Sequence, residues 1–244
     1  METIGIAFAL AFALGSRDPF PPPAAAIWSL AAGIAGIAGL LVFYRALATG
    51  AMSLVAPVAA VVGAGLPVVA GYVFGEKVGG GQATGILVAL AAVVLVSRPA
   101  DVGGGDRRGT WLALVAGFGF AAYFVGMDRA IVAGAGTWWP VPIARAGSIV
   151  VTGLGVLLTG QGRDLPRVTT PVVLVAGVGD IVGNLAFVLA RAQGPLGPAA
   201  VVASLYPAVT VVMAWLLLDE RLSRAHVAAV ALAIAGIVLI ALPV

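Results

Sequence analysis

Uninterrupted apolar runs about twenty residues long dominate this chain, and they leave it few environments in which to fold. A hydrocarbon layer of about 30 Å is crossed by roughly 20 helical residues, with every backbone polar group satisfied inside the segment. Eight runs reach or approach that length, at about 26–48, 52–74, 80–97, 110–127, 138–158, 171–192, 197–218 and 226–243. They are continuously apolar rather than alternating, so helices are expected and barrel strands are not. The breaks between them carry Pro, Gly and charge, as turns do. Examples are Ser16-Arg17-Asp18-Pro19, Glu76-Lys77, Asp101 to Arg108, Arg163-Asp164 and Asp219-Glu220-Arg221.

Composition points the same way. Of 244 residues, 61% are apolar and 9% charged, against about 25% charged in a soluble domain. So few charges cannot coat a water-facing surface, and the lipid bilayer is the expected surrounding. A net charge of +3 is too small to imply a nucleic-acid partner. The absence of cysteine excludes disulfides, thiolate metal sites and cysteine nucleophiles. His226 is the single histidine, which argues against a histidine zinc site. An intramembrane enzyme needs paired acids, a Ser–Lys or Ser–His dyad, or metal ligands at depth. Lys77 and His226 both fall at run ends, so no catalytic residues, metal or cofactor are expected.

The first fifteen residues stand apart. Thr3 to Gly15 is apolar but too short to span alone. With Glu2 and no basic leading region it does not read as a signal peptide. It reads as the tail of a longer helix.

The chain also matches itself at a fixed offset. Placing Glu76-Lys77 on Glu220-Arg221 gives a shift of 144 residues without gaps. Phe43 then meets Phe187, Gly50 meets Gly194, Ala56 meets Ala200, and Val94-Leu95 meets Val238-Leu239. These counts organise the chain as a first repeat over 1–98, a connector over 99–109 and a second repeat over 110–244. The second holds five spans, and the first three plus the short segment. The expected fold is therefore an all-α polytopic membrane protein of two five-helix repeats. The first is incomplete, lacking one helix and part of another ahead of Met1. An odd number of spans per repeat inserts the copies with opposite orientation, a design of transporters with a midplane site.

The residues that carry these features resemble a known family. Ser204-Leu205-Tyr206-Pro207, then Asp219-Glu220-Arg221-Leu222-Ser223, then the helix Val227–Leu242, resemble the C-terminal end of an EamA domain of the drug/metabolite transporter superfamily. Phe43-Tyr44-Arg45-Ala46-Leu47 and Gly75-Glu76-Lys77 repeat the theme. Lys77 stands where the family usually has Arg, and Gly79-Gly80-Gly81 loosens that turn. The resemblance implies a ten-helix inner-membrane transporter of small metabolites, built as five plus five helices around a central cavity.

Ionisable side chains at mid-bilayer cost about 2.5–3.5 kcal/mol on insertion scales, so they face a partner or a water-filled cavity. Asp180 lies near the centre of run 171–192, with Asn184 one turn on along the same face. Arg145 lies about seven residues into run 138–158. An antiparallel hairpin of these two runs sets position 145 opposite roughly 184, within a turn of Asp180. Two readings stay open for this pair: a structural ion pair locking the hairpin, or a substrate-orienting, proton-sensitive site. Tyr123, Ser204 and Tyr206 add hydroxyls in apolar runs, and complete the candidate substrate-binding or transport residues. Pro207, Pro57 and Pro67 each free a backbone carbonyl and bend a helix. Glu76, Lys77, Glu220 and Arg221 form the repeat signature and read as caps and turn markers. Asp128-Arg129 reads as the close of run 110–127. Gly33, Gly36 and Gly39 read as a helix-packing stripe, Trp138-Trp139 as an interfacial anchor, and Gly103-Gly104-Gly105 as a flexible connector.

Orientation divides the signals. Arg17, Lys77, Arg129 and Arg191 fall on one face, and Arg45, Arg98, Arg107, Arg108, Arg163, Arg167, Arg221 and Arg224 on the other. The positive-inside rule puts the second set in the cytoplasm and the C-terminus outside. The resemblance implies a cytoplasmic C-terminus. The functional expectation is a secondary transporter, an exporter of small metabolites, amino-acid-like compounds or amines. The competing reading is a non-transporting membrane subunit or inactive fragment.

Overall fold

The computed structural model describes residues 2–16, 18–49, 52–96, 107–159, 171–205, 208, 212 and 224–241. Among the described residues the regular structure is all helical. The helices are α1 Glu2–Gly15, α2 Pro23–Thr49, α3 Met52–Val73, α4 Gly80–Val96, α5 Arg107–Val132, α6 Pro140–Thr159, α7 Pro171–Gln193, α8 Leu196–Ala203 and α9 Arg224–Ala241. Four segments are long and apolar enough to cross a membrane: Pro23–Thr49, Arg108–Val132, Pro140–Leu158 and Arg224–Ala241. Val58–Val73 and Gly80–Leu95 are shorter apolar helices. The chain is a multi-pass helical membrane protein.

Two expected boundaries move. Run 197–218 was expected as one span, but its helix stops at Ala203 and Ser204-Leu205 form a turn. Run 110–127 was expected to close at Asp128-Arg129, but α5 continues to Val132. The apolar triplet Ala130-Ile131-Val132 beyond the charged pair carries the helix on for another turn. Asp128 consequently lies inside the helix and is fully buried.

Two helix ends are made by the same device. At the end of α3, Gly75 adopts φ 85°. Its N–H donates to Tyr72 O at 3.0 Å, and the Glu76 N–H donates to Gly71 O at 2.9 Å. At the end of α5, Gly134 adopts φ 91°. The Gly134 N–H donates to Ile131 O at 3.0 Å, and the Ala135 N–H to Ala130 O at 2.9 Å. Both are Schellman closures, in which a left-handed glycine turns the next N–H back onto the last helical carbonyls.

The helices form two contact units. The first comprises Met1–Ala38 and Ala122–Gln193, the second Gly39–Ala121 and Gly194–Val244, so α2 and α5 each contribute to both. In the first unit α1 packs on α6 and α7. Phe12, near the end of α1, stacks on Trp138 just before α6, with ring centroids 5.5 Å apart. Phe20 meets Trp139 edge-on at 5.0 Å, and the Trp139 indole N–H donates to Asp18 O at 3.0 Å. The two tryptophans thereby hold the connection between α1 and α2. Gly33 of α2 lies against the Ala144 carbonyl of α6, leaving no room for a Cβ. The Ser148 hydroxyl donates to Gly33 O at 3.1 Å across the same crossing.

In the second unit α4 packs on α9 and α3 on α8. A Cβ at Gly81 would approach Leu239 O, one at Gly85 would approach Gly236 and Ile240, and one at Gly236 would approach Ala89. The pairing falls along α9 as it rises along α4, so these helices are antiparallel. Gly197, at the start of α8, lies against Val68 near the end of α3. Ala60, Ala64, Ile86, Ala89, Ala92, Val201, Leu205 and Ala233 form the core of this unit. Lipid tails are as apolar as leucine, so helices in a bilayer associate by close packing, which small residues allow.

Four pairs of helix limits also follow the 144-residue offset, while the starts of α1 and α2 and the end of α3 do not. Gly15 at the end of α1 falls on Thr159 at the end of α6, and Thr49 at the end of α2 on Gln193 at the end of α7. Met52 and Gly80, which open α3 and α4, fall on Leu196 and Arg224, which open α8 and α9.

Gly85 tests the close packing. A Cβ there would lie 2.8 Å from the Ile240 nitrogen and 2.9 Å from Gly236 O, both backbone atoms that cannot turn aside. Gly85→Ala is expected to destabilise by about 1–3 kcal/mol, the cost of overpacking. Gly153→Ala, where a Cβ meets nothing within 4 Å, is expected to be neutral or to gain up to about 1 kcal/mol of helix propensity. Thermal unfolding of the two variants in detergent makes the comparison.

Candidate functional site

Three helices of the first unit bring polar side chains together. α7 supplies Asp180 and Asn184, one helical turn apart and on one face. α6 supplies Arg145 and α5 supplies Tyr123. Arg145 Nη2 donates to Asp180 Oδ2 in an ion pair. Asn184 Nδ2 donates to Asp180 Oδ1 at 3.2 Å and to the Asp180 carbonyl at 2.8 Å. The Tyr123 hydroxyl donates to Asn184 Oδ1 at 2.5 Å. The result is one continuous chain, Arg145–Asp180–Asn184–Tyr123, running across α6, α7 and α5. These four are sequence-expected residues, and the antiparallel hairpin argument put three of them side by side.

Exposure separates the two charges. The Arg145 side chain is 13% exposed, whereas that of Asp180 is 45% exposed. A Cβ added at Gly179 or Gly183, on either side of Asp180, would meet nothing within 4 Å. The Asp180 side chain is thus partly uncovered, and a charge with that much uncovered surface suits water rather than lipid tails. Chemically the chain offers a fixed cation, an anion with an open side, an amide and a phenol. Tyr123 is seated by α2: a Cβ at Gly36 would come within 2.9 Å of the Tyr123 ring.

Residues 107–242, more than half of the chain, match the EamA-like transporter family. The chain belongs to that family. Its members are membrane transporters of the drug/metabolite transporter superfamily. A solved crystal structure of a protein is similar over 99% of this chain and 86% of that one, with a TM-score of 0.72 and 19% sequence identity, a likeness of fold. No curated protein matches the sequence.

The other expected residues of this EamA-family chain lie elsewhere. Ser204 is buried at the end of α8, in the second unit, and its N–H donates to Ala200 O at 3.0 Å. Pro67 is buried within α3, and Pro57 falls in the same helix. Tyr206, Pro207, Glu220 and Arg221 lie outside the described residues. Lys77 is exposed in the turn between α3 and α4. Glu76, beside it, is turned back by Gly75 onto the start of α8. Its carboxylate oxygens accept the Leu196 N–H at 3.0 and 2.8 Å. Gly71 leaves the room that carboxylate occupies. A carboxylate at a helix N-terminus meets an otherwise unsatisfied donor and the positive end of the helix dipole. Among the described residues no group of three His, Asp or Glu side chains is placed to hold a metal ion.

Sequence reasoning missed one ionic cluster. Asp128 of α5 is 0% exposed and accepts from two arginines. Arg129 donates to Oδ2 from Nε at 2.7 Å and from Nη2 at 2.6 Å. Arg191 of α7 donates from Nε to Oδ1. The signal that would have found it is the apolar continuation 130–132, which places Asp128 within a helix rather than at its end.

Asn184 is the joint of the polar chain, and removing it should cost more than removing the Tyr123 hydroxyl. Tyr123→Phe deletes its hydrogen bond to Asn184, worth about 1 kcal/mol. Asn184→Ala deletes the bonds to Tyr123 and to Asp180 together and is expected to cost about 1–3 kcal/mol. The double variant should be less destabilised than the sum of the two, because they share a contact. Thermal unfolding of all three in detergent measures the coupling.

Proposed function

We propose that the protein is a secondary transporter of the bacterial-type inner membrane that exports small metabolites, amino-acid-like compounds or amines. The observation that carries this reading is the Arg145–Asp180–Asn184–Tyr123 chain, an ionic site inside apolar helices with one side open. Arg145 suits a carboxylate and Asp180 an ammonium group. A zwitterion entering the site replaces the internal ion pair with two pairs of its own, so no charge is stranded during exchange. Tyr123 and Asn184 hold Asp180 oriented while its partner changes.

The repeat reading gives the site its setting. We take 1–98 and 110–244 as inverted repeats joined by 99–109. Three observations support this. Four pairs of helix limits coincide under the 144-residue offset. The offset-related pairs α1 and α6, α3 and α8, and α4 and α9 each pack together. Within α4 and α9 the directions are opposed, and the end of α1 meets the start of α6. Copies related by an axis in the membrane plane pack in this way, with substrate bound near the midplane.

Flux measured in proteoliposomes, loaded in turn with amino acids and with small amines, tests the reading. Asp180→Asn is expected to lower flux by about tenfold or more, the scale of losing one charge-assisted contact. That variant also leaves Arg145 without its carboxylate, so the double variant Arg145→Gln/Asp180→Asn is the informative one. A structural ion pair is relieved when both charges go, and flux would recover. A transport site stays inactive. Wild-type flux in Asp180→Asn, or recovery in the double variant, would sink the proposal.

A further inference from the structure

Tyr123, Phe124 and Asp128 of α5 meet Asn184, Phe187 and Arg191 of α7, in that order. Positions rise together on the two helices, so α5 and α7 run parallel. The contacts differ in how closely they fix the height of one helix against the other. The Tyr123 hydroxyl bond works only over an O···O range of about 2.5–3.0 Å. Phe124 and Phe187 have ring centroids 4.8 Å apart. Aromatic pairs stay favourable over about 4.5–7 Å, so these two rings tolerate a slide of about 2 Å. Gly36 seats the Tyr123 ring on α2, which does not set the height of α7. Arg145–Asp180 ties α7 to α6, but that is the pair the transport reading opens when substrate enters. A tie that stays closed through the exchange has to lie elsewhere.

Asp128 and Arg191 supply it. Asp128 is fully buried, and Arg129 of its own helix donates to Oδ2, while Arg191 donates to Oδ1. Charge-assisted bonds of this kind are shorter and about twice as strong as neutral ones. At about 1.5 Å per residue, Asp128 lies about 7.5 Å beyond Tyr123 and Arg191 about 10.5 Å beyond Asn184. Helical side chains lean toward the start of their helix, and the long arginine covers that difference of about 3 Å.

We propose that Asp128 and Arg191 are positioning residues for the polar chain. They fix the height of α7 on α5 so that Asn184 stands within reach of the Tyr123 hydroxyl, and Asn184 in turn holds the Asp180 carboxylate. The positioning is a property of the helix pair; only its use in substrate exchange rests on the transport reading.

The test reads the other end of that register. A fluorotyrosine placed at position 123 alone gives one fluorine NMR signal in detergent micelles, sensitive to the partner of its hydroxyl. Asn184→Ala removes that partner and marks where the signal goes when the bond is lost. Arg191→Gln is expected to move the signal more than half of the way to that mark, although position 191 lies about 10.5 Å along α7 from Asn184. That variant leaves Asp128 one guanidinium short. The double variant Asp128→Asn/Arg191→Gln leaves no buried carboxylate there and should move the signal as far. Gly85→Ala, which disturbs packing in the second unit, should leave the signal at its wild-type position. A lower unfolding temperature with an unmoved signal in both Arg191 variants is what a merely structural pair gives, and it overturns the proposal. An equal shift in Gly85→Ala does so too, because it marks general loosening. No readout here needs flux, so failure of the Asp180 transport test leaves this one intact.

Discussion

In a bilayer the hydrophobic effect places helices in the membrane but does not choose their neighbours, and close backbone approach does that here. Gly33 lets the α6 backbone at Ala144 touch α2, next to Arg145, and Gly36 takes the ring of Tyr123. With those helices nearly in contact, an asparagine on α7 is long enough to link a tyrosine on α5 to an aspartate on its own helix. Larger residues at the α2 positions would widen the crossing, and the polar chain would lose its reach. The chemistry of the first unit therefore depends on side chains that have no chemistry.

Three carboxylates show how environment sets the use of a charge. Glu76 sits at a helix end, anchored on the Leu196 N–H, and ties the turn after α3 to the start of α8. Asp128 is fully buried and surrounded by two guanidinium groups, which neutralise it inside the helix packing. Asp180 has one arginine and an open side. Only the last combines a charge with access, and access is what a small molecule needs. Burial distinguishes Asp128, whereas exposure distinguishes Asp180, which is why the proposed reading rests on Asp180.

Much of this was legible in the sequence because apolar runs and helical spacing are local signals. The described parts of the runs are mostly helical, although the helix of run 197–218 stops at Ala203, and the α6–α7 hairpin argument placed Arg145 beside Asp180 from residue spacing alone. Tyr123 was marked as a hydroxyl in an apolar run, but its partner was not foreseen, because that contact joins α5 to α7 across 61 residues. Asp128 was misplaced for a different reason. A charged pair inside an apolar run looks like its end, and what distinguishes the cases is a partner on another helix, here Arg191. Glu76 was read correctly as a helix-end residue, yet the helix it caps begins 120 residues further on. Spacing reports which residues share a face, whereas tertiary contact decides what that face meets.

The offset relates packing to chemistry in one further way. Shifted back by 144 residues, Asp180 falls on Gly36, Asn184 on Leu40 and Arg191 on Leu47. On the proposed repeat reading, the positions matching Asp180, Asn184 and Arg191 thus hold a glycine and two leucines. Gly36 is the residue that receives the Tyr123 ring. At this offset-related pair of positions one copy provides the ionisable group and the other the space in which its neighbours are seated. Two identical copies would place a carboxylate at both positions. The one at position 36 would then crowd the Tyr123 ring and remove the packing that holds the hydroxyl on Asn184. On the proposed repeat reading, divergence at this pair of positions lets Gly36 seat the Tyr123 ring beside the ionic group at Asp180.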